Sequence, residues 1–333
     1  MSEDARQTAE ERLIERYFAP IARHPGALGL TDDAAFITPP AGCDLVLKTD
    51  AIVSSMHFFS DDPADLVARK ALRVNLSDLA AKGATPLGFL LSLAIPAELP
   101  PRWLAEFSRG LAADAEEYAC PLFGGDTDRS PGPIMISIAA FGSVPTGTMV
   151  KRSGARPGDV VMVTGTIGDA ALALAHRRGR PAGAWRPNPH EAEYLRHRYL
   201  LPYPRNALAQ AVRENASAAM DVSDGLVGDL TKLCRVSNVS AHVNIADVPL
   251  SPAGQDAVVA APELLEVALT GGDDYEVLLT LAPERVAPFR AAAKEVGVPA
   301  RQIGTIVEGN AAPEFRDAAG AVRTFAQTSF SHF

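Results

Sequence analysis

The sequence predicts a mixed α/β protein of two domains. Its 333 residues exceed the usual length of one domain, and its 47% hydrophobic and 21% charged residues are ordinary for a globular chain. Helical and strand patterns alternate through the second half, as is typical of α/β or α+β domains. A loop rich in Gly, Pro, Arg and Lys at 151–159 places the boundary near residue 150, which gives domains of 1–150 and 151–333.

Local patterns predict the elements of the first domain. Apolar residues recur at helical spacing in 9–18, 63–83 and 101–118. The stretch "CDLVLKTDAIVSS" predicts a strand that ends near Asp50 and leads into a second strand or a turn, and "PIMISIAAFGSV" predicts another strand. The apolar run before Gly124 predicts a strand whose end is followed by the acids of "GGDTD".

In the second domain, a helix at 204–214 is followed by the strand "AAMDV", and helices then alternate with strands to the end of the domain. The stretch 177–190, rich in Arg, Pro and Gly, predicts an exposed and mobile insertion.

Composition excludes several classes of protein. The net charge of −9 argues against broad nucleic-acid binding, which needs a basic surface. Cys43, Cys120 and Cys234 are far apart, without metal-binding spacing, and we expect free thiols in a reducing compartment. The charged N-terminus lacks the apolar segment of a signal peptide, and no run is long enough to span a membrane. We therefore expect a cytoplasmic protein.

Aspartates occur in six short stretches that suggest a shared chemistry. These stretches contain Asp32 with Asp33, Asp50, Asp78, Asp126 with Asp128, Asp221 with Asp224, and Asp273 with Asp274. A single aspartate is most often a helix cap, a turn residue or a solvated charge. Together, however, these carboxylates are the hard oxygen ligands that Mg²⁺ prefers, and glycines beside them let a phosphate approach the backbone.

Two of these stretches show how local roles compete with metal binding. Asp78 falls within the long helix, where an ordinary i,i+4 pair with Lys82 is the simplest interpretation. Asp221 ends an apolar strand, and Ser223 or Asp224 is expected to cap the helix that follows. A strand end beside a helix N-terminus also suits an anion or its metal ion.

The usual motifs of phosphate-binding enzymes are missing from the chain. It contains no P-loop, no dinucleotide-binding fingerprint, no protein-kinase signature and no nucleophile elbow. His57 is most simply a core or surface histidine. For Arg152, a solvated loop position and a clamp on phosphate both remain open.

With these stretches in view, the chain resembles the thiamine-monophosphate kinases of the aminoimidazole-ribonucleotide-synthetase-like (PurM-like) superfamily. The stretches "NLSDLAAKGA", "GGDT", "GDVVMVTGTIGD", "DVSDGL" and "GGDDYE" occur in the order of that family, and the match runs from about residue 12 to the terminal "SFSHF". The resemblance implies a two-domain PurM-like fold. Its N-terminal domain would bind ATP and magnesium and pair its sheet into a barrel across a homodimer, and its C-terminal α/β domain would complete the substrate cleft.

The resemblance also implies an activity and its residues. The family transfers the γ-phosphoryl group of ATP in line to thiamine monophosphate, which yields thiamine diphosphate, with several Mg²⁺ ions and without a protein general base. The implied metal ligands are Asp32, Thr49, Asp50, Asp78, Asp126, Asp221 and Asp224, of which Asp50, Asp126 and Asp221 would assist the transfer. The implied ATP contacts are Tyr118, Gly125, Asp126, Arg152 and Ser223. The implied thiamine-phosphate contacts are His57, Asp273 and Phe330.

The chain departs from the family pattern at three of these stretches, one of which is "GLTDD" in place of the more usual Gly-x-Gly-Asp-Asp. Lys48 stands where the family often has a small hydroxyl residue, and Asp273 stands where it usually has a glutamate. One alternative function is another ATP-dependent activity of the superfamily, such as aminoimidazole-ribonucleotide synthetase. A selenophosphate synthetase would need a reactive cysteine near the N-terminus, and residues 1–30 contain none. Another alternative is a silent nucleotide- or metal-binding module.

Overall fold

The structure is a computed structural model that describes residues 8–179 and 185–329. Phe330, a predicted substrate contact, lies outside these residues, as does part of the predicted insertion at 177–190. Trp185 from that stretch is buried, so the insertion is not exposed throughout. Within the described part of the chain, no helix combines the length and apolar character needed to span a membrane.

The chain divides into two compact units. The first consists of Met1–Leu79 and Thr85–Gly147, and the second consists of Ala80–Ala84 and Thr148–Phe333. Each unit has its own sheet, of four and six strands respectively.

The first unit contains the three helices that the sequence predicts. Its elements are α1 (Ala9–Tyr17), β1 (Cys43–Val53), α2 (Ala64–Ala81, whose last two residues belong to the second unit), β2 (Thr85–Ile95), α3 (Pro101–Glu117), β3 (Leu122–Arg129) and β4 (Met135–Pro145). A capping box between Thr8 and Glu11 begins α1, because each side chain accepts a hydrogen bond from the backbone of the other residue. The sheet order is β1-β4-β2-β3.

The two strands that carry predicted metal ligands are longer than expected. β1 does not end at Asp50, because β4 pairs with it along its whole length. β3 continues through Asp126 and Asp128 to Arg129, since β2 runs parallel to it and pairs Ser92 with Asp126. These acids therefore lie within a strand, where side chains alternate between the two faces of the sheet.

The four-stranded sheet has one buried face and one open face. Val46 and Ile52 of β1 are buried, whereas Leu47, which points the other way, is 69% exposed. α2 lies against the buried side, since Asp78 of this helix contacts Lys48. The open face is the surface that carries Leu47 and Phe141, which pair directly across β1 and β4, and Leu90 of β2, which pairs with Ala139 two residues before Phe141.

The second unit shows the predicted alternation of helices and strands. Its elements are β5 (Val160–Thr164), α4 (Asp169–Arg177), α5 (Pro189–Leu200), α6 (Ala209–Asn215), β6 (Ala218–Asp221), α7 (Leu226–Ser237), β7 (Ser240–Asn244), α8 (Pro252–Ala260), α9 (Leu264–Thr270), β8 (Val277–Leu281), α10 (Val286–Glu295), β9 (Ala300–Val307) and β10 (Glu314–Arg316). The sheet order is β10-β7-β9-β5-β8-β6, and only the β10–β7 pair is parallel.

Both faces of the six-stranded sheet are buried. Val161 and Val163 of β5 pack in one core with Leu230 of α7, whereas Met162 faces a second core with Phe289 of α10. Such a sheet requires nearly continuous apolar strands, which β5 and β8 provide. Polar side chains are therefore displaced to strand ends and loops, where the predicted site residues of this unit lie.

Candidate functional site

A cavity of about 600 Å³ in the first unit gathers some of the predicted site residues. Asp32, Asp126 and Ser92 are among its polar lining residues, and Phe36 and Phe141 are among its apolar ones. Asp126 and Ser92 are direct neighbours in the sheet register, on the open face. The cavity thus combines several carboxylates and hydroxyls with apolar walls.

Gly125, a predicted ATP contact, also lines this cavity. A Cβ atom at Gly125 would lie 1.8 Å from the carbonyl oxygen of Leu91 on β2. The pairing of β2 with β3 therefore requires glycine at this position. The sequence alone explains this glycine by the close approach of a phosphate. It does not predict the close packing against β2.

Lys48, Asp50 and Asp78 form a cluster on the helix side of the same sheet. The Lys48 ammonium lies 2.7 Å from Asp78 Oδ2 and 3.2 Å from Asp50 Oδ2. Burial lowers the pKa of Lys48, but the charges and hydrogen bonds of Asp78 and Asp50 outweigh it, so this pKa lies above its ordinary value. The predicted Asp78–Lys82 pair is replaced by this contact, and Lys82 Nζ donates to the Ala219 carbonyl at 2.7 Å.

The predicted metal ligands of the first unit thus separate by sheet face. Thr49 lies on the open face, because it alternates with Lys48 and Asp50 along β1. Asp32 and Asp126 line the cavity, whereas Asp50 and Asp78 lie on the helix side. In the described ranges, no three His, Cys, Asp or Glu side chains form a group that could hold a metal ion by themselves.

Tyr118 and His57 have defined surroundings in the first unit. Tyr118 follows the last residue of α3, and its ring centroid lies 5.2 Å from the guanidinium carbon of Arg73. The buried Arg73 is itself held by Asp114, to which its Nε donates at 2.6 Å. Burial raises the pKa of the Tyr118 phenol. His57 Nδ1 accepts a hydrogen bond from the Val53 N–H at 3.0 Å, which fixes the ring.

In the second unit, the stretches "DVSDG" and "GGDDYE" lie side by side. The Asp273 N–H donates to the Ser223 carbonyl at 2.9 Å, and the Tyr275 N–H donates to the Val222 carbonyl at 2.8 Å. Asp273 has a φ of +72°, a left-handed conformation that is uncommon for a residue with a side chain. This pairing brings Asp221, Ser223, Asp224 and Asp273 into one loop cluster.

The helix that follows this cluster is not capped as predicted. The N-cap of α7 is Gly225, and neither Ser223 nor Asp224 caps the helix with its side chain. Instead, Asp229 Oδ2 accepts hydrogen bonds from the backbone N–H groups of Ser223 and Asp224, at 3.0 and 2.9 Å. Asp224 contacts the Lys232 ammonium. An acid one turn into the helix therefore holds the loop that leads into it.

Arg152, a predicted ATP contact, lies away from the Ser223 cluster. Its carbonyl accepts a hydrogen bond from the hydroxyl of Ser237, the last residue of α7, at 3.4 Å. The Lys151 carbonyl accepts from the Ala219 N–H, near the start of β6. Ser223 follows the other end of β6 and precedes the start of α7, so the structure does not bring these two predicted ATP contacts together.

A buried ionic network in the second unit was missed by sequence reasoning. Glu276 has no exposed surface, and its carboxylate accepts from Arg205 at 2.5 Å, from Arg198 at 2.9 Å and from the Thr164 hydroxyl at 2.8 Å. Arg198 also lies 3.5 Å from the buried Asp169. These partners are 71 to 112 residues from Glu276, so no local pattern reveals them.

Asp274, the second acid of "GGDDYE", belongs to the interior and not to the loop surface. Its Oδ2 accepts from the Gly168 N–H at 2.8 Å, and its buried Oδ1 has no hydrogen-bond partner among the described residues. Burial raises the pKa of Asp274 well above its ordinary value; the Gly168 hydrogen bond and Arg198 oppose the rise, and Asp169 and Glu276 add to it.

Both units match known families. Residues 31–144 match the AIR synthase related protein, N-terminal domain, and residues 156–313 match the AIR synthase related protein, C-terminal domain. The chain therefore has the two-domain mixed α/β fold of the PurM-like class.

Similar proteins show which family of this class the chain belongs to. Thiamine-monophosphate kinase of Caulobacter vibrioides is 41% identical over 300 residues, which cover 89% of this chain and 83% of that protein. The crystal structure of thiamine-monophosphate kinase from Stenotrophomonas maltophilia has a TM-score of 0.82 at 37% identity and covers 95% of this chain and 98% of that one. A structure of AaThiL complexed with AMPPCP and TMP has a TM-score of 0.77 at 30% identity over 91% of both chains. The chain belongs to the thiamine-monophosphate kinase family.

Proposed function

We propose that Mg²⁺ ions held by aspartates of this chain assist the transfer of the γ-phosphoryl group from ATP to thiamine monophosphate. As a member of the thiamine-monophosphate kinase family, the chain is an enzyme that phosphorylates thiamine monophosphate to thiamine diphosphate, with ATP as co-substrate. The similar AaThiL, complexed with AMPPCP and TMP, supports both substrates.

The cavity of the first unit carries the magnesium proposal. Asp32 and Asp126 supply carboxylate oxygens there, and Ser92 supplies a hydroxyl. Mg²⁺ in such enzymes is usually bound by one or two carboxylates together with waters and substrate phosphates, so this donor set fits it. We propose that further ions are held by the other predicted ligands, which are Thr49, Asp50, Asp78, Asp221 and Asp224.

Bound magnesium would offset the repulsion between two polyanionic substrates and the charge on the transferred group. The attacking oxygen belongs to the substrate's own phosphate, which is largely ionised near neutral pH, so no protein general base is required. The remaining proposed residues bind and orient the substrates. Positioning of this kind lowers a barrier by about 7–11 kcal/mol. The proposed ATP contacts are Tyr118, Gly125, Asp126, Arg152 and Ser223, and the proposed thiamine-phosphate contacts are His57, Asp273 and Phe330.

Product formation tests the proposed function directly. Purified protein is incubated with ATP, Mg²⁺ and thiamine monophosphate, and thiamine diphosphate is separated from its precursor by chromatography. We expect product that disappears when EDTA removes the metal. ATP binding without product would favour another ATP-dependent reaction of the superfamily, such as that of aminoimidazole-ribonucleotide synthetase. If neither occurs, the acidic stretches have no part in phosphoryl transfer. A cytoplasmic location, without nucleic-acid or membrane partners, also stays a prediction.

We further propose that the open face of the four-stranded sheet joins two copies of the chain. Leu45, Leu47 and Leu90 on this face are 41%, 69% and 36% exposed, and the edge strands β1 and β3 leave backbone groups unpaired within the sheet. Pairing of two such sheets would give the barrel that the family resemblance implies.

Leu47→Asp is expected to convert this dimer to a monomer, because it buries a charge in the apolar interface. Size-exclusion chromatography with light scattering measures the change. Val259→Asp, at an 83% exposed position on α8, is the matched control and should leave the mass unchanged. A Leu47→Asp protein that remains a dimer would contradict the proposed interface.

A further inference from the structure

A lysine occupies the space between two proposed magnesium ligands. Lys48 and Asp50 lie two residues apart on one face of β1, and Asp78 reaches them from α2. The Lys48 Nζ atom is within 2.7 Å of Asp78 Oδ2 and 3.2 Å of Asp50 Oδ2. An ammonium group has three donors and no acceptor, so one side chain bonds both carboxylates at once.

We propose that Lys48 is a resident counter-ion that a divalent cation must displace before Asp50 and Asp78 bind it. This inference rests on the proposed function, which assigns magnesium to these two acids. Lys48 is tethered to β1, so its effective concentration at the acid pair is on the order of millimolar or higher. The carboxylates are accessible to an incoming ion, since the Asp50 side chain is 44% exposed and that of Asp78 is 17% exposed.

The displacement has a consequence for the order of binding. Free ions compete with Lys48 for the pair, and a hydrated Mg²⁺ ion gives up its water reluctantly. An ion that arrives with ATP has phosphate oxygens as additional ligands, and these contacts favour it over the ammonium. Asp50 and Asp78 are therefore loaded together with the nucleotide and not before it. A small hydroxyl residue in place of Lys48 would leave the pair open to free ions.

Binding of Mn²⁺ to the nucleotide-free protein, followed by electron paramagnetic resonance, tests this proposal without measuring activity. Lys48→Ser is expected to bind Mn²⁺ at least about tenfold more tightly than the wild type, the scale on which outer groups tune metal sites. Lys48→Arg keeps the cation and should behave like the wild type. Lys294→Ser removes an equal charge from the exposed side of α10 and serves as the matched control.

A double variant shows where the additional ion binds. Asp50→Asn combined with Lys48→Ser is expected to abolish the gain in Mn²⁺ affinity. Equal affinities in the wild type and Lys48→Ser, or a gain that survives Asp50→Asn, would overturn the proposal. An enzyme that forms no thiamine diphosphate but shows this pattern would instead contradict the proposed function alone.

Thermal unfolding gives a second readout in case Lys48→Ser folds poorly. Lys48→Met keeps most of the side-chain volume but removes the ammonium group from between Asp50 and Asp78. Its melting temperature is expected to rise with added Mg²⁺ by more than that of the wild type or of Lys294→Ser. An equal Mg²⁺-dependent rise in all three proteins would contradict the counter-ion role.

Discussion

The acids of the two units have different surroundings. In the first unit, Asp32 and Asp126 line a cavity of about 600 Å³. In the second unit, Glu276 and Asp169 are fully buried, and Arg198 and Arg205 neutralise them. A fully buried carboxylate that arginines neutralise supports the fold, whereas one that faces a cavity can serve a cation and its phosphate. The partners and the burial of an acidic side chain, and not its presence in a motif, therefore indicate its role.

The largest expected effect separates turnover from stability in the first unit. Asp126→Asn should lower kcat on the order of 10²–10³-fold, a loss similar to that of one electrostatic group in other active sites. Its melting temperature should change little, because Asp126 is exposed on β3. Steady-state kinetics and calorimetry on the same preparation measure both quantities.

Asp128 provides the control for this prediction. It is exposed, lies two residues further along β3 on the same face, and is not a proposed ligand. Asp128→Asn should keep kcat close to that of the wild type. If both variants lose activity equally, the effect belongs to the charge of the strand and not to Asp126.

In the second unit, the loss of a buried acid should lower stability and leave turnover largely unchanged. Glu276→Gln leaves Arg205 without its carboxylate in the interior, and breaking a buried ion pair of this kind costs about 3–5 kcal/mol. The midpoint of denaturant unfolding for this unit should fall accordingly, with activity per folded molecule largely retained. Glu193→Gln on α5 removes the exposed Glu193–Arg196 pair and should cost about 1 kcal/mol or less. Equal losses in the two variants would contradict the role of burial.

A smaller effect concerns the pH dependence of stability. Burial raises the pKa of Asp274. Above pH ~3.9, the Asp274 carboxyl group therefore stays protonated in the folded protein but loses its proton in the unfolded chain. Over that window the folded state binds more protons, and the free energy of unfolding falls as the pH rises. Asp274→Asn cannot titrate, so its melting temperature relative to the wild type should rise as the pH increases from about 4.

Melting curves of both proteins over this pH range test the sign. A variant in which exposed Asp256 of α8 becomes asparagine controls for the loss of one carboxylate. A difference between Asp274→Asn and the wild type that stays constant, or that falls with pH, would contradict a raised pKa in the folded state.

The helices of the first unit could be predicted because their signals are local. α1 has a capping box four residues long, and α2 and α3 carry apolar residues at helical spacing between clear end signals. The alternation in the second unit was likewise visible in short apolar runs such as β5 and β8. Family motifs then indicated the kinase, which the similar proteins confirm.

The parts that could not be predicted depend on contacts distant in sequence. β3 extends through Asp126 because β2 pairs beside it, and nothing in "GGDTD" reveals that partner. Lys82 is the expected ion-pair partner of Asp78 by its position in the helix. In the structure, however, Asp78 pairs with Lys48 of β1. The division of the acids between the two sheet faces depends in the same way on the register of β1 and β3.

The most direct test of metal binding by Asp126 is the number of Mn²⁺ ions bound in the presence of the non-hydrolysable analogue AMPPCP. We expect Asp126→Asn to bind at least one ion fewer than the wild type, or to bind it far more weakly, while Glu276→Gln binds the full number. An unchanged number and affinity of ions in Asp126→Asn would contradict the claim that this cavity-facing acid holds metal against ATP.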